Sequence, residues 1–556
     1  MVWARLRRLR PFAADGEPRL RPLQGRSRTG LRGHRGAVAV PGSTLDRPGI
    51  PLTPSRGRLG GHAPFLLVLL VAALFRVVAA LGYRPAIWFT DSITYLDEAV
   101  TGTPGLPRPS GYSLYLWLLK PFHSLTLVMA TQHVMGLLVA VLVYAVACRC
   151  GVPRWGATLA AAPVLFDAYE IELERLVLSD TLFLLFGMAA LALVLWRSPP
   201  PLWAVVAGGL CAGLSVVTRP TGIAIAVGVV LAVLLRVPLL KSLMGPLAWW
   251  KRAGATGLAL AACATPVFAY GLWFSSVYGE FGLSRSTGVF LYGRVMAFAE
   301  CPKMRPPPEL RRLCTKIPPE RRMISQNYIW RGSSPLNRIH GARYSVRKNR
   351  LAQRFALRAI SAQPLDYLRA VGHDTLRAFA WDRTVFPDRL TYDRYLFGTR
   401  PAELAANPNS KYVRNLYRRA ARYELGPVRT RVYQPWAGLA HAYQGVVFLR
   451  GTMVGAVLLA GLVVALVRRG PPGRLAAGPW VAAAGLIVLP AATAEFDYRY
   501  VLTAVPFGCL ALALSCASRN NPGQISSPSV ASGTVRGEAE GGRGGTVAGR
   551  GVRGGP

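Results

Sequence analysis

Acidic residues are scarce in this chain, and the short motifs of soluble enzymes are absent. It has 26 Asp+Glu against 66 Lys+Arg in 556 residues. No Walker A loop, H-E-x-x-H, G-x-S-x-G or C-x-x-C pair occurs, so ATP hydrolysis, zinc proteolysis and serine-hydrolase chemistry have no visible machinery. There is no N-x-[ST] acceptor and no internal repeat. His123, His133, His340, His373 and His441 are scattered without metal-ligand spacing and read as packing or loop histidines. Cysteine is sparse too. Cys211, Cys263, Cys509 and Cys516 lie in apolar runs, where a buried thiol is the default. Cys148 and Cys150 form a lone C-x-C, a weak metal signal. Cys301 and Cys314 share one long polar stretch and are a disulfide candidate if that stretch lies outside the cell.

What the chain has in quantity is apolar sequence, 52% of its residues. It falls in blocks of the length that crosses ~30 Å of hydrocarbon at ~1.5 Å per residue. The expected fold is therefore an all-α polytopic membrane protein with about ten transmembrane helices. They are placed near 64–82, 126–147, 155–169, 178–196, 202–218, 220–237, 254–277, 444–467, 475–493 and 500–516. Residues 1–62, rich in Arg, Pro and Gly, are expected to be a disordered basic tail, and 518–556 a second one. The formal charge of +40 sits in loops and tails between the blocks. Anionic headgroups and the cytoplasmic charge bias explain it. No nucleic-acid recognition motif accompanies it, so nucleic acid is not an expected partner.

Short basic loops set orientation. "CRCGVPR", "WRSPPP", "RVPLLKSLMGPLAWWKR" and "VRRGPPGR" follow even-numbered spans, and the basic tail precedes the first. This predicts both termini in the cytoplasm. The acids then gather outside, in the first loop (83–125), in "DAYEIELERLVLSD" and in "EFDYRY". The long basic stretch 279–443 is expected to be a mostly helical outer domain, since long loops cross regardless of charge. Ala352, Phe355, Ala356, Ala359 and Ile360 recur there at helical spacing. Two membrane modules, 63–278 and 444–517, flank it.

Several residues stand out as chemistry. In "TDSITYLDEA" a helix from Asp91 puts Asp91, Thr94, Tyr95 and Glu98 on one face, with Asp97 elsewhere. Asp91 and Glu98 are about 10 Å apart along such an axis and cannot act as a local pair. The plainer role for Asp91 is an N-cap. The plainer role of the stretch "DAYEIELERLVLSD" is solvated interfacial charge, with Glu170, Glu174 and Arg175 forming ion pairs, and it is the reading for Glu170 and Glu172. Asp180 opens an apolar helix, where an ionisable group is a functional candidate by default. Arg219 in "VVTRPTG" and Arg499 in "EFDYRYVLTAVPF" lie at span ends on the same side as the acids. Arginine is the usual fork for phosphate oxygens, and snorkelling to headgroups is the plainer alternative.

Taken together, "TDSITYLDEA", "PSGYSLYLWLL", "LERLVLSDTLF", "GGLCAGLSVVTRPTG" and "FDYRYVLTAVPF" resemble the outer-face motifs of the multi-pass GT-C glycosyltransferases. The resemblance is to their lipid-carrier-dependent, protein-mannosyltransferase-like branch (family 39-like), over about 64–280 and 444–516. It departs in one place: the commoner double acid is here Asp91 followed by Ser92. The resemblance implies a GT-C-like bundle in the plasma membrane with an extracytoplasmic active face. It implies a polyprenyl-phosphate-linked sugar donor and an acceptor protein, lipid or cell-wall glycan. Asp91 would be the base of an inverting transfer, with Asp180 or Glu174 orienting the acceptor or supporting a divalent metal (Mg or Mn). Arg219 and Arg499 would clamp phosphate, and Tyr95, Tyr112 and Trp88 would line the sugar site. A transporter or flippase for a lipid-linked glycan is the alternative; it wants charges near the bilayer midplane and broken helices in paired halves. A non-catalytic scaffold holding anionic polymers on the basic loop is a third.

Overall fold

The computed structural model describes residues 61–85, 89–236, 245–398, 411–468 and 470–518. The tails expected over 1–62 and 518–556, apart from their innermost residues, and Trp88 lie outside the described residues.

The first helix among the described residues is α1 (Ala63–Gly82), apolar and started by Pro64 in its first turn. A connecting segment follows with α2 (Ser92–Thr101) and α3 (Gly111–Leu119). Then come α4 (Leu125–Arg149), α5 (Arg154–Phe166), α6 (Ala168–Arg175), α7 (Asp180–Leu195), α8 (Leu202–Thr218), α9 (Gly222–Arg236) and α10 (Gly245–Tyr278). The helical soluble domain holds α11 (Thr287–Val295), α12 (Val346–Ala362), α13 (Pro364–Arg377) and α14 (Lys411–Glu424) among shorter turns. The chain returns through α15 (Trp436–Val446), α16 (Gly451–Val467), α17 (Pro471–Thr493) and α18 (Tyr498–Ser515). The only sheet among the described residues is a two-residue antiparallel ladder, β1 (Tyr83–Arg84) on β2 (Arg431–Val432). It ties the end of α1 to the end of the soluble domain.

Ten spans are too many for these helices. Among the described residues five are long and apolar enough to cross a membrane, or six if α15 and α16, bent by 53° at residues 447–450, count as one. With 15 to 17 residues, α7, α8 and α9 reach only ~23–26 Å. The apolar runs behind the expectation include residues that are not helical in these spans. Leu178 precedes α7, and α5 stops at Phe166. There Asp167 redirects the chain into α6, its Oδ1 accepting the amides of Tyr169 (2.8 Å) and Glu170 (3.2 Å).

Small residues let the helices touch. Gly228 of α9 faces Gly478 of α17 so closely that a Cβ on Gly228 would sit 2.5 Å from the carbonyl oxygen opposite. A Cβ on Gly209 of α8 would lie 2.7 Å from the Ala259 carbonyl oxygen of α10. Where lipid is as apolar as the side chains, such close backbone packing holds helices together. Outward, Leu66, Leu67, Leu70, Leu74 and Val77 of α1 are exposed, a bilayer-facing stripe. By contrast α18 is the most enclosed span.

The soluble domain has its own core, in which Ala352, Phe355, Ala356 and Ala359 of α12 pack on Val289 and Tyr292 of α11. Ile360 lies at its edge. Glu495, between α17 and α18, accepts the amides of Ser325 and Gln326, both at 3.1 Å, and pins this domain to the bundle. Cys301 and Cys314 are joined by a disulfide. It closes a loop with a sequence separation of 13, which constrains the unfolded domain by about 3 kcal/mol. Cys301→Ser should therefore lower the domain's stability by about that amount. Proteolysis of 279–443 under native conditions measures it; unchanged protection would refute the contribution.

Candidate functional site

The ends of several elements enclose one cavity of about 390 Å³. Asp91 and Tyr95 enter it from the start of α2, Arg108 from the loop before α3, and Ser179 from the turn before α7. Arg219 and Ile223 come from the α8–α9 corner, Phe290 from α11, Leu489 and Pro490 from α17, and Arg499 and Tyr500 from the first turn of α18. Its wall carries both cationic and apolar side chains.

Asp91 precedes α2, where an N-cap belongs, yet its side chain caps nothing. Its Oδ2 receives Arg108 and, at 3.0 Å, Nη1 of Arg499. Burial pushes this carboxyl up, but the two guanidinium groups outweigh it and hold it well below the usual carboxylate range. Each arginine is itself fixed. The loop carrying Arg108 is strapped to the end of α10 and the residues after it: Tyr278 donates to the Pro104 carbonyl at 2.6 Å and Ser286 to that of Pro107 at 2.7 Å. Asp497 caps α18 through the Arg499 amide (3.3 Å) and reaches its side chain at 3.5 Å. Tyr395 in turn donates to Asp497.

Arg219 ends α8 and pairs with Asp180, whose other oxygen is buried without a hydrogen-bond partner. The Tyr500 ring stands between the two clamp candidates, 5.2 Å from the Arg219 guanidinium carbon and 5.4 Å from that of Arg499. Tyr95 hydrogen-bonds Ser179 at 3.1 Å and packs edge-on to Tyr112, ring centroids 4.9 Å apart. Tyr112 does not reach the cavity; it donates to Gln132 at 2.6 Å.

Glu174 is elsewhere. Its oxygens take two bonds from Arg76 of α1, both 2.7 Å, and one contact with His133 at 2.8 Å. Nor is its neighbourhood solvated: all of α6 is buried, and Arg175 pairs with Glu172. A helix packed on every side must pair its charges internally, so Glu172 and Glu174 find arginines instead of water. Glu170 is buried with one oxygen unpartnered. Thus Asp91, Tyr95, Arg219 and Arg499 meet in the cavity, Asp180 stands behind Arg219, and Glu174 and Tyr112 lie outside the lining.

Arg108 and Tyr500 were not singled out by sequence reasoning. Arg108 carried a signal, as a cation in the same outer loop as Asp91; Tyr500 carried none beyond its place beside Arg499. The described residues offer no cluster of three or more His, Cys, Asp or Glu able to hold a metal ion. With three arginines on the wall and Asp180 already paired, these residues do not fit a divalent ion.

The fold and cavity define a class: a helical membrane protein with one carboxylate and three guanidinium groups on the wall of a single cavity. Residues 120–277, under a third of the chain, match the family profile described as dolichyl-phosphate-mannose-protein mannosyltransferase. The match takes in Arg219 and Asp180 but not Asp91, Arg108 or Arg499. No curated protein matches the chain. Among solved structures, the Saccharomyces cerevisiae protein O-mannosyltransferase Pmt1–Pmt2 complex bound to the sugar donor is similar at 15% identity and TM-score 0.32. That match covers 42% of this chain and 36% of that one. The apo oligosaccharyltransferase of Archaeoglobus fulgidus is 12% identical with TM-score 0.38, over 81% of this chain and 50% of that one. ArnT from Cupriavidus metallidurans bound to undecaprenyl phosphate gives 14% and 0.32, over 82% and 77%. The chain thus spans between about a third and a half of the first two. Scores this low do not establish a common fold.

One further acid beside the site titrates unusually. Glu98, on the same face of α2 as Asp91, accepts from Ser113 at 2.6 Å and keeps its other oxygen buried and unpartnered. Burial lifts it to about 7, against the opposing hydroxyl of Ser113. A folded value above the unfolded one means stability is lost as pH rises from about 4.5 through about 7. Glu98→Gln should be more stable than the wild type near pH 8, by up to about 3 kcal/mol, and no different below about pH 4.5. Thermal unfolding at the two pH values decides; a less stable variant near pH 8 would show that the ionised carboxylate is wanted.

Proposed function

We propose that this chain is a membrane glycosyltransferase that moves a sugar from a polyprenyl-phosphate carrier to an acceptor hydroxyl at the outer face of the plasma membrane. The observation that carries the reading is the composition of the cavity. Arg108, Arg219 and Arg499 suit a phosphate, Ile223, Phe290 and Leu489 suit an isoprenoid chain, and Asp91 is the one carboxylate on the wall. The match of residues 120–277 to a mannosyltransferase family supports it. An outer site is taken from the Lys and Arg of the short loops, a bias that keeps such loops on the cytoplasmic side.

The chemistry is a single displacement. Asp91 takes the proton of the acceptor hydroxyl as that oxygen bonds to the anomeric carbon. The bond from this carbon to the phosphate oxygen breaks, and its electron pair leaves with the phosphate. Configuration inverts. A lipid phosphate departs as a stable anion, so no general acid is needed, and the arginines hold the charge it carries away. Asp180 keeps Arg219 aimed, and Tyr95 and Ser179 offer hydroxyls to the sugar. Glu174 acts at a distance, by holding α1 in place. A transporter would want broken helices in paired halves, and the described residues contain one bent pair.

Membranes carrying the wild type should transfer label from at least one of a panel of polyprenyl-phosphate sugars. Asp91→Asn should cut that rate by about 10² to 10⁴ in protein that still inserts and folds, although it leaves Arg108 and Arg499 without their partner and so lowers the melting temperature. A folded wild type that turns over none of the panel would end this reading.

A further inference from the structure

Every guanidinium group on the cavity wall is already engaged by a carboxylate. Arg219 is held by Asp180, while Arg108 and Arg499 both point at a single atom, Oδ2 of Asp91. Two cations from distant elements converging on one anionic oxygen is the geometry in which arginines grip a phosphate oxygen. A carboxylate in such a grip is also a poor base, because its negative charge is neutralised from two sides. Asp91 therefore has two incompatible tasks as the cavity stands. It cannot serve as a strong base while it holds both arginines, and the arginines cannot fully serve a phosphate while they hold Asp91.

We propose that Asp91 is a built-in occupant of the phosphate site: without donor it holds Arg108 and Arg499 in position, and an arriving lipid phosphate takes both over and sets the carboxylate free. This rests on the transferase reading above. It makes the base available only when a donor is bound, so that an acceptor or water meets a free carboxylate and a scissile bond together. The two arginines differ in how they are supported, which fits the exchange. Arg499 keeps a contact with Asp497 when it leaves Asp91, at 3.5 Å in this arrangement. Arg108 lies in a strapped loop and over the Tyr95 ring, 5.9 Å from its centroid. Both stay aimed into the cavity.

An occupant must be displaced, so it weakens the ligand that displaces it. Removing its charge should do the reverse. The full-length protein in lipid nanodiscs is titrated with farnesyl phosphate, with farnesol as the control lacking phosphate. Asp91→Asn should bind farnesyl phosphate about tenfold more tightly than the wild type while losing sugar transfer, and farnesol binding should not change. In an Arg108→Gln/Arg499→Gln background the tightening should vanish, because nothing is left to release. Simple repulsion between Asp91 and the phosphate would leave the tightening intact there, and that outcome overturns the proposal, as does Asp91→Asn binding no more tightly than a stable wild type. If Asp91→Asn does not insert, the wild type supplies the test. Infrared difference spectra with ¹³C-labelled aspartate should show a carboxylate stretch moving when farnesyl phosphate binds, and no such band overturns it. A wild type that turns over donor but fails these tests removes only the exchange. One that prefers farnesyl phosphate no more than farnesol removes the transferase reading as well.

Discussion

The cavity depends on one shared oxygen. Oδ2 of Asp91 binds Arg108 in its own loop and Arg499, 408 residues further along the chain. Through it the start of α2, the strapped loop that carries Arg108 and the most enclosed helix are fixed relative to each other. Charges removed from water need such partners, and losing one of a buried pair leaves the other uncompensated. The same logic places Asp180 against Arg219, and the Tyr500 ring between the two arginines joins the arrangements into one wall.

The soluble domain belongs to that wall. A division of the chain at residues 278 and 279 puts Ser286 and Phe290 in a different part from Asp91, yet all three line the cavity. Ser286 also straps the loop of Arg108. The α17–α18 turn works from the other side, with Glu495 holding the Ser325 amide and Arg499 following two residues after the cap of Asp497. Cavity and domain are thus organised by the same short connections, and the residues 279–443 are not a separate module appended to a finished site.

Much of this was legible in the sequence, for identifiable reasons. Apolar blocks declare helices, and α1, α4, α17 and α18 fall close to where the blocks predict. Charges at block ends declared the cavity, since Asp91, Arg219 and Arg499 had to be explained there. What stayed hidden was pairing over distance. Nothing local to Asp91 says whether its oxygen will cap a helix or receive two arginines, and nothing local to Glu174 says that Arg76 awaits it. Block length also overstates helix length where apolar residues lie just outside a helix, as Leu178 does before α7. The acids of α6 were misjudged for the opposite reason: a charged sequence reads as solvated unless its partners are known.

The pair of Arg76 and Glu174 bears on how the protein is made. The arginine lies inside α1 and its carboxylate partner follows 98 residues later. At ~5–20 residues per second, that partner is added to the chain roughly 5 to 20 s after Arg76 itself. For that interval the first helix carries an unneutralised cation, which lipid accepts at a cost of ~2.5–3.5 kcal/mol at a helix centre. The apolar length of α1 outweighs that cost, so the helix can enter lipid with its arginine unpaired, and Glu174 of α6 relieves the penalty when it arrives.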